Sequence, residues 1–258
     1  MKPYLLCFDV DGTLRDNVDH KICPSTDYTI KQLKKNGYKI IISSGRGYDS
    51  LKKTGLMEMY DWDGYVLNNG QMILDGQGNI LADYQLSKET IQETIELANQ
   101  LNMCLVLKCE PRIMNKEADE YVYTSQRYFN NTIAEVGVYT NQKVDAMITY
   151  GPIGYDYAPF CSIQGLEVLP GESTYADLTI KGVSKATGIK KLLDHYHLDQ
   201  YIAFGDSLND VEMFKHAAIS IAMGQGNQKL KDIATYVTSS IDDDGIYKAC
   251  LHYHLLEE

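Results

Sequence analysis

The chain has 258 residues, of which 44% are hydrophobic and 23% charged, with a formal net charge of −11 at pH 7. These proportions are ordinary for a globular protein, and the length suits one large domain or two small ones with a buried core. The negative balance argues against nucleic acid as a partner, because such binding rests on Lys and Arg neutralising phosphates. It leaves room for a small anion held at one local positive site. No stretch approaches the roughly 20 apolar residues of a membrane span, and the apolar run at the N-terminus is short and cut by Asp9, unlike a signal peptide. The six cysteines are scattered without a C-x-x-C pair, which predicts reduced, mostly buried thiols in a cytoplasm.

Tyr4 to Phe8 reads as a buried strand and runs directly into Asp9-Val10-Asp11-Gly12-Thr13-Leu14. A helical stretch from Asp27 to Lys35 follows, with Ser25 or Thr26 as N-cap and Gly37 past its end. Lys39 to Ser43 is a second buried strand, and Ser44-Gly45-Arg46-Gly47 opens another helix. A third strand, Gly64 to Leu67, ends at Asn68-Asn69-Gly70. Strands alternating with helices imply a parallel sheet with right-handed crossovers.

The middle of the chain has a different rhythm. Asp75-Gly76-Gln77-Gly78-Asn79 marks a hairpin between Met72–Leu74 and Ile80–Ala82. Ser87 caps a helix to about Leu101, a strand covers Cys104 to Lys108, and a second helix lies near Asp119 to Asn130. Strands are predicted at Lys143 to Tyr150, Phe160 to Ile163 and Tyr175 to Ile180. The alternation returns with a helix from Ser184 to His195, a strand at Tyr201 to Phe204 and a helix from Asn209 to Lys215. Strands at Ile219 to Met223 and Tyr236 to Thr238 lead to a last helix from Ile246. The expected architecture is α/β: a doubly wound, Rossmann-like parallel core from residues 1–82 and 181–258, split by an inserted α+β domain of residues 83–180.

Four segments carry chemistry. A central strand should not end in acids unless they face a site, since an unpaired buried carboxylate is costly. Asp9 and Asp11, at i and i+2 of extended chain, address one small volume, and two like charges that close call for a cation or a proton. Ser44 and Gly45 follow Ile40-Ile41-Ile42, where a hydroxyl and backbone N–H groups can seat a phosphate; a plain N-cap is the simpler account of Ser44 alone. Lys185 stands in the first turn of its helix, where a cation opposes the dipole unless an anion is shared with it. Gly205-Asp206-Ser207-Leu208-Asn209-Asp210 again sends an apolar strand into acids, and supplies the further hard-cation ligand that the Asp9/Asp11 pair needs. In open α/β sheets such clusters converge beyond the carboxyl ends of the strands.

Other features read as structural. His195/His197 and His252/His254 sit at i and i+2, which do not share a helix face, so neither pair can ligate one ion from a helix. Gly45-Arg46-Gly47 is too short for a nucleotide fingerprint, Asp242-Asp243-Asp244 lacks the calcium-loop spacing, and Cys104 and Cys109 are expected in a core.

Taken together, Asp9-Val10-Asp11-Gly12-Thr13-Leu14, Ser43-Ser44-Gly45-Arg46, Lys185 and Gly205 to Asp210 resemble the four motifs of the haloacid dehalogenase-like phosphatases, and the place of the insert is similar to the Cof-type branch, subfamily IIB, with its α/β cap. Serine stands at Ser44 where that family often has threonine, and Ala186 where glycine often follows the lysine. The resemblance implies that Asp9 is the nucleophile, forming an aspartyl-phosphate, and that Asp11 protonates the leaving oxygen and then deprotonates water. It implies Mg²⁺ held by Asp9, the Asp11 main-chain carbonyl and Asp206. Ser44, Gly45 N–H, Lys185 and Asn209 would grip the phosphoryl oxygens, with Val10 N–H nearby and Asp210 one layer behind. The expected partner is a small phosphorylated metabolite such as a sugar phosphate or phosphorylated cofactor, met by a monomer or weak homodimer. A phosphomutase of similar fold is the rival enzyme; a phospho-accepting or metabolite-sensing module is the rival non-enzyme, disfavoured by a proton-transfer group at Asp11. The tyrosine-rich insert is expected to select the leaving group and to exclude water.

Overall fold

The computed structural model describes residues 4–129 and 131–256. In chain order the strands are β1 (Tyr4–Phe8), β2 (Lys39–Ser43), β3 (Gly64–Leu67), β4 (Met72–Asp75), β5 (Ile80–Asp83), β6 (Leu105–Lys108), β7 (Ile113–Met114), β8 (Glu135–Val136), β9 (Ala146–Tyr150), β10 (Leu166–Pro170), β11 (Tyr175–Ile180), β12 (Gln200–Gly205), β13 (Ile219–Ala222) and β14 (Tyr236–Val237). The chain divides into two compact units, Met1–Asp83 with Ser184–Glu258, and Tyr84–Val183.

The first unit carries one sheet in the order β14-β13-β12-β1-β2-β3-β4-β5. The pairings from β14 to β3 are parallel, and β4 and β5 add an antiparallel edge. Its central strands are apolar on both sides because both faces are covered. Leu6, Phe8, Ile40, Ile42, Ile202 and Phe204 face one core, closed by Ile30 and Leu33 of the helix Pro24–Lys35 and by Ile246 and Ala249 of the helix Gly245–His252. Leu5, Cys7, Ile41 and Ala203 face the other, closed by Ile189 and Leu192 of the helix Lys185–Tyr196 and by Met213 and Phe214 of the helix Val211–His216. Helices on both faces of a parallel sheet make the doubly wound arrangement. Truncating any of the buried leucine, isoleucine, methionine or phenylalanine side chains named here to alanine would cost about 2–5 kcal/mol.

The second unit has a sheet in the order β10-β11-β9-β6-β7-β8, antiparallel except for β7 with β8. Ile91 and Ala98 of the helix Lys88–Gln100 pack with Leu105, Leu107, Met147 and Leu178, and Val122 of the helix Glu120–Tyr128 packs with Cys104, Val106 and Tyr150. The Ser87 hydroxyl accepts the Thr90 N–H at the head of the first of these helices, the cap expected there. Asn130, at the expected end of the second, lies outside the described residues.

Several local expectations are corrected. Phe160 to Ile163 is not a strand: the helical turn Ala158–Cys161 occupies it, with Pro159 in the first turn, where its fixed φ and missing N–H favour a helix start. The strand lies further on, as β10, and ends on Pro170 at the sheet edge, where the missing donor is tolerated. The helix expected from Asp27 begins at Pro24 and is capped by the backbone of Cys23, with no side-chain cap from Ser25 or Thr26. Asn209 lies in a single 3-10 turn, Leu208–Asp210, ahead of the helix at Val211. No described helix is long and apolar enough to cross a membrane. His195, His197, His252 and His254 are exposed, and Cys104 and Cys109 are buried.

Candidate active site

The site begins with strand register. Phe8 of β1 pairs with Phe204 of β12, their rings stacked at 4.6 Å, and Asp9 N–H donates to Phe204 carbonyl at 3.0 Å. This pairing brings the ends of both strands, Asp9 and Asp206, to the same edge of the sheet. The Val10 carbonyl then accepts the N–H groups of Thr13, Leu14 and Arg15, coiling the chain back on itself immediately after the acids.

Lys185 arrives from the opposite face. Ser184 caps its helix in a reciprocal capping box with Thr187, which sets Lys185 as the first helical residue. Its ammonium lies 2.6 Å from Asp9 Oδ1 and 2.6 Å from Asp210 Oδ1, with all three side chains buried. The cation that opposes the helix dipole is therefore held by two carboxylates. Burial pushes the Asp9 carboxyl up to about 7, resisted by Lys185 and aided by the charges of Asp210 and Asp11. For Lys185 burial works against the charge, but Asp210 and Asp9 more than offset it and hold the ammonium above its usual range.

Asp210 braces the second loop. Its Oδ2 accepts N–H from Asp206 at 3.1 Å and from Ser207 at 3.2 Å, while Oδ1 takes Lys185. Gly205 allows this approach, since a Cβ there would stand 2.5 Å from Asp210 Oδ2. Asp206 Oδ1 accepts the Thr13 hydroxyl at 3.3 Å. Gly12 is needed twice over: its φ is +80°, and a Cβ would fall 2.2 Å from Asp206 Oδ2. Gly12→Ala should therefore lower stability by roughly 1–2 kcal/mol from the left-handed backbone alone and displace Asp206. Thermal unfolding and metal titration of the variant check both effects.

Among the described residues, Asp9, Asp206 and Asp210 bring carboxylate oxygens within 4.8 Å of one another. Three carboxylates facing one lysine leave a formal surplus of two negative charges in a buried volume, so the donor set fits a hard divalent cation.

Ser44 is not a helix cap: the next helix starts at Tyr48 after Gly47, and Ser44 instead sits in an irregular loop. Its N–H donates to Val66 carbonyl at 2.8 Å and its Oγ accepts Arg46 N–H at 3.1 Å. Asn69, left-handed at φ 55°, joins the loops: its N–H donates to Ser44 carbonyl, and its Oδ1 accepts Asn209 Nδ2 at 3.1 Å. A Cβ on Gly45 would stand 3.2 Å from Asn69 Oδ1 and 3.4 Å from Asn209 Nδ2, so Gly45, Asn69 and Asn209 meet at one point. Asp11 is held differently from Asp9. Arg46 grips it through both oxygens, Nη2 to Oδ1 at 2.9 Å and Nε to Oδ2, and Arg15 Nε adds a contact to Oδ1 at 3.0 Å. Burial alone would raise the Asp11 carboxyl, but Arg46 and then Arg15 outweigh it and hold it below the usual range.

All the residues singled out by sequence thus gather at the carboxyl ends of β1, β2 and β12 and at the head of the Lys185 helix. Sequence reasoning missed Asn69, Arg15 and Arg46 as participants. Asn68-Asn69-Gly70 after an apolar strand was the available signal for the first; Arg46 stands in the Ser43-Ser44-Gly45-Arg46 segment but was given no role there, and nothing local marks Arg15.

A buried lysine shared by Asp9, at the end of β1, and Asp210, in the turn after β12, both part of the cation-fitting acidic cluster, is the kind of charge arrangement phosphoryl transfer uses. The family model for haloacid dehalogenase-like hydrolase matches residues 6–250. The chain is similar to the 5-amino-6-(5-phospho-D-ribitylamino)uracil phosphatase YitU of Bacillus subtilis, 26% identical over 270 residues and covering 99% of each chain. Among solved structures it is similar to the phosphatase BT1666 of Bacteroides thetaiotaomicron, with 25% identity, a TM-score of 0.90 and coverage of 98% of this chain and 96% of that one. It is also similar to the subclass IIB sugar phosphatase BT4131, with 26% identity, a TM-score of 0.86 and coverage of 98% and 100%. The chain belongs to the haloacid dehalogenase-like hydrolases, in their Cof-type branch, and is a phosphoric monoester hydrolase.

Proposed function

We propose that the protein is a Mg²⁺-dependent phosphatase of small phosphorylated metabolites, sugar phosphates or phosphorylated cofactors, working through an aspartyl-phosphate on Asp9. The observation that carries this reading is Asp9 itself, buried, fixed through Oδ1 by Lys185, and set beside Asp206 and Asp210. With Oδ1 held, Oδ2 is the oxygen that attacks phosphorus, forming a P–O bond as the bond to the leaving oxygen breaks. Asp11 gives its proton to that oxygen. It then takes a proton from the water that attacks phosphorus as the bond to Asp9 breaks, releasing inorganic phosphate and restoring both carboxyl groups. Ser44, the Gly45 N–H, Lys185 and Asn209 grip the phosphoryl oxygens, with the Val10 N–H close by. Asp9, the Asp11 carbonyl and Asp206 would hold the Mg²⁺, with Asp210 orienting Asp206 and Lys185 from behind. The bound ion would neutralise charge developing on the transferred group.

Residues 1–82 and 181–258 act as the catalytic core in this reading, and the insert, residues 83–180, as the cap that selects the leaving group. The similar proteins act, by their names, on a phosphorylated ribitylaminouracil and on sugar phosphates. The six free cysteines accord with a reducing cytoplasm.

The test is a screen of phosphorylated metabolites for release of inorganic phosphate, repeated on a chimera carrying the insert of a similar phosphatase. The substrate ranking should move with the insert while Mg²⁺ dependence stays. A ranking that follows the core would place selectivity elsewhere, and transfer of phosphate back to substrate without release would mark a mutase.

A further inference from the structure

The two arginines on Asp11 have no part in gripping phosphate or metal in the scheme above, yet they take both oxygens of the carboxylate. We propose that Arg46, seconded by Arg15, is the positioning residue of the proton-transfer step: it fixes the Asp11 carboxylate so that it meets the leaving oxygen. This rests on the reading of Asp11 as acid and base.

The geometry has the marks of a built clamp. Arg46 forms a fork on Asp11, with Nη2 on Oδ1 at 2.9 Å and Nε on Oδ2, the bidentate arrangement that fixes a carboxylate in both place and plane. Each guanidinium is tethered on its far side, Arg46 Nη1 to Ser50 Oγ at 3.0 Å and Arg15 Nη2 to His20 Nδ1 at 3.1 Å. Arg15 itself is locked to the acid-bearing turn, since its carbonyl accepts Gly12 N–H at 2.9 Å. Arg46 comes from the same loop as Ser44, whose Oγ accepts Arg46 N–H, so the loop that seats the phosphoryl group also aims the acid. A carboxylate two residues beyond a nucleophile, on a turn with its own rotamer freedom, otherwise has nothing to keep it at reacting distance, and misplacement by about 1 Å can cost on the order of 10²-fold.

A positioning role through the acid makes a prediction that a structural role does not. Proton transfer to the leaving oxygen matters greatly for an alkyl phosphate and little for an aryl phosphate, whose phenolate leaves unaided. The quantity to compare is kcat/KM, which reports the steps through leaving-group departure. Arg46→Ala should lower kcat/KM for β-glycerophosphate roughly tenfold to a hundredfold, and for p-nitrophenyl phosphate by less than about threefold, as a fraction of the 10²–10⁴ that general acid catalysis supplies. Arg46→Lys, which keeps the charge and loses the fork, should show the same selectivity and carries the test if the alanine variant folds poorly. In an Asp11→Asn background Arg46→Ala should add less than about twofold, because the two act through one group. Equal losses on both substrates, or no loss on either, would overturn the positioning role provided Asp11→Asn alone is selective for the alkyl substrate. If Asp11→Asn is itself unselective, the acid–base reading of Asp11 fails, and the clamp proposal with it.

Discussion

Asp9→Asn protein should fold as the parent does and release phosphate from the best substrate at a rate lower by about 10⁴-fold or more, the scale on which loss of a nucleophile acts. The amide is nearly isosteric, and its oxygen can still accept from Lys185, whose second partner Asp210 is untouched. What is lost is the negative oxygen that forms the bond to phosphorus. Stability offers an independent check. The folded-state value of about 7 lies above the ordinary 3.8, so ionising Asp9 in the metal-free protein costs stability progressively as pH rises from about 4 through 7. The asparagine has no such ionisation. Measured in chelator, the unfolding temperature of Asp9→Asn relative to the parent should therefore climb across that window. Normal turnover by a folded Asp9→Asn protein would remove the covalent mechanism outright.

The second large effect expected is on removal of metal. Excess chelator should abolish phosphate release and Mg²⁺ should restore it, while Ca²⁺ should inhibit because it relaxes the octahedral geometry that Mg²⁺ demands. The reason is electrostatic: without the cation, the surplus negative charge of Asp9, Asp206 and Asp210 repels the incoming phosphate dianion. Asp206→Ala should raise the Mg²⁺ concentration for half-activity on the order of 10–100-fold or more, with the Thr13 hydroxyl losing its acceptor at the same time. Full activity in excess chelator, or an unaltered Mg²⁺ requirement in Asp206→Ala, would refute the assignment of the metal to this cluster.

Much of the site was legible in the linear chain because it breaks local rules. Apolar strands at Tyr4–Phe8 and Tyr201–Phe204 run straight into acids, and Lys185 stands where a helix dipole disfavours it; each is an anomaly only a shared site relieves. The parallel core was legible for a similar reason, since strands covered on both faces leave continuous apolar runs such as Ile40-Ile41-Ile42. Short apolar segments carried less information. Phe160 to Ile163 satisfies a strand or a helical turn equally, and Pro159 decided it through its backbone. The two residues each of β7 and β8 are too few to show any period at all.

What tertiary structure alone decided is how the acids are divided. By charge and spacing alone Asp9 and Asp11 are two like carboxylates two residues apart, and only the family resemblance told them apart. In the fold, Asp9 faces a buried lysine and two further acids, and its carboxyl rises; Asp11 faces Arg46 and Arg15, and its carboxyl falls. The contacts responsible span 176 residues to Lys185 and 35 to Arg46. No local spacing encodes such pairings, because they depend on which strand ends the β1–β12 and β1–β2 registers place side by side. Residue types and their positions along the chain therefore determined that a charged site exists and where its parts begin; the sheet register determined which charge meets which.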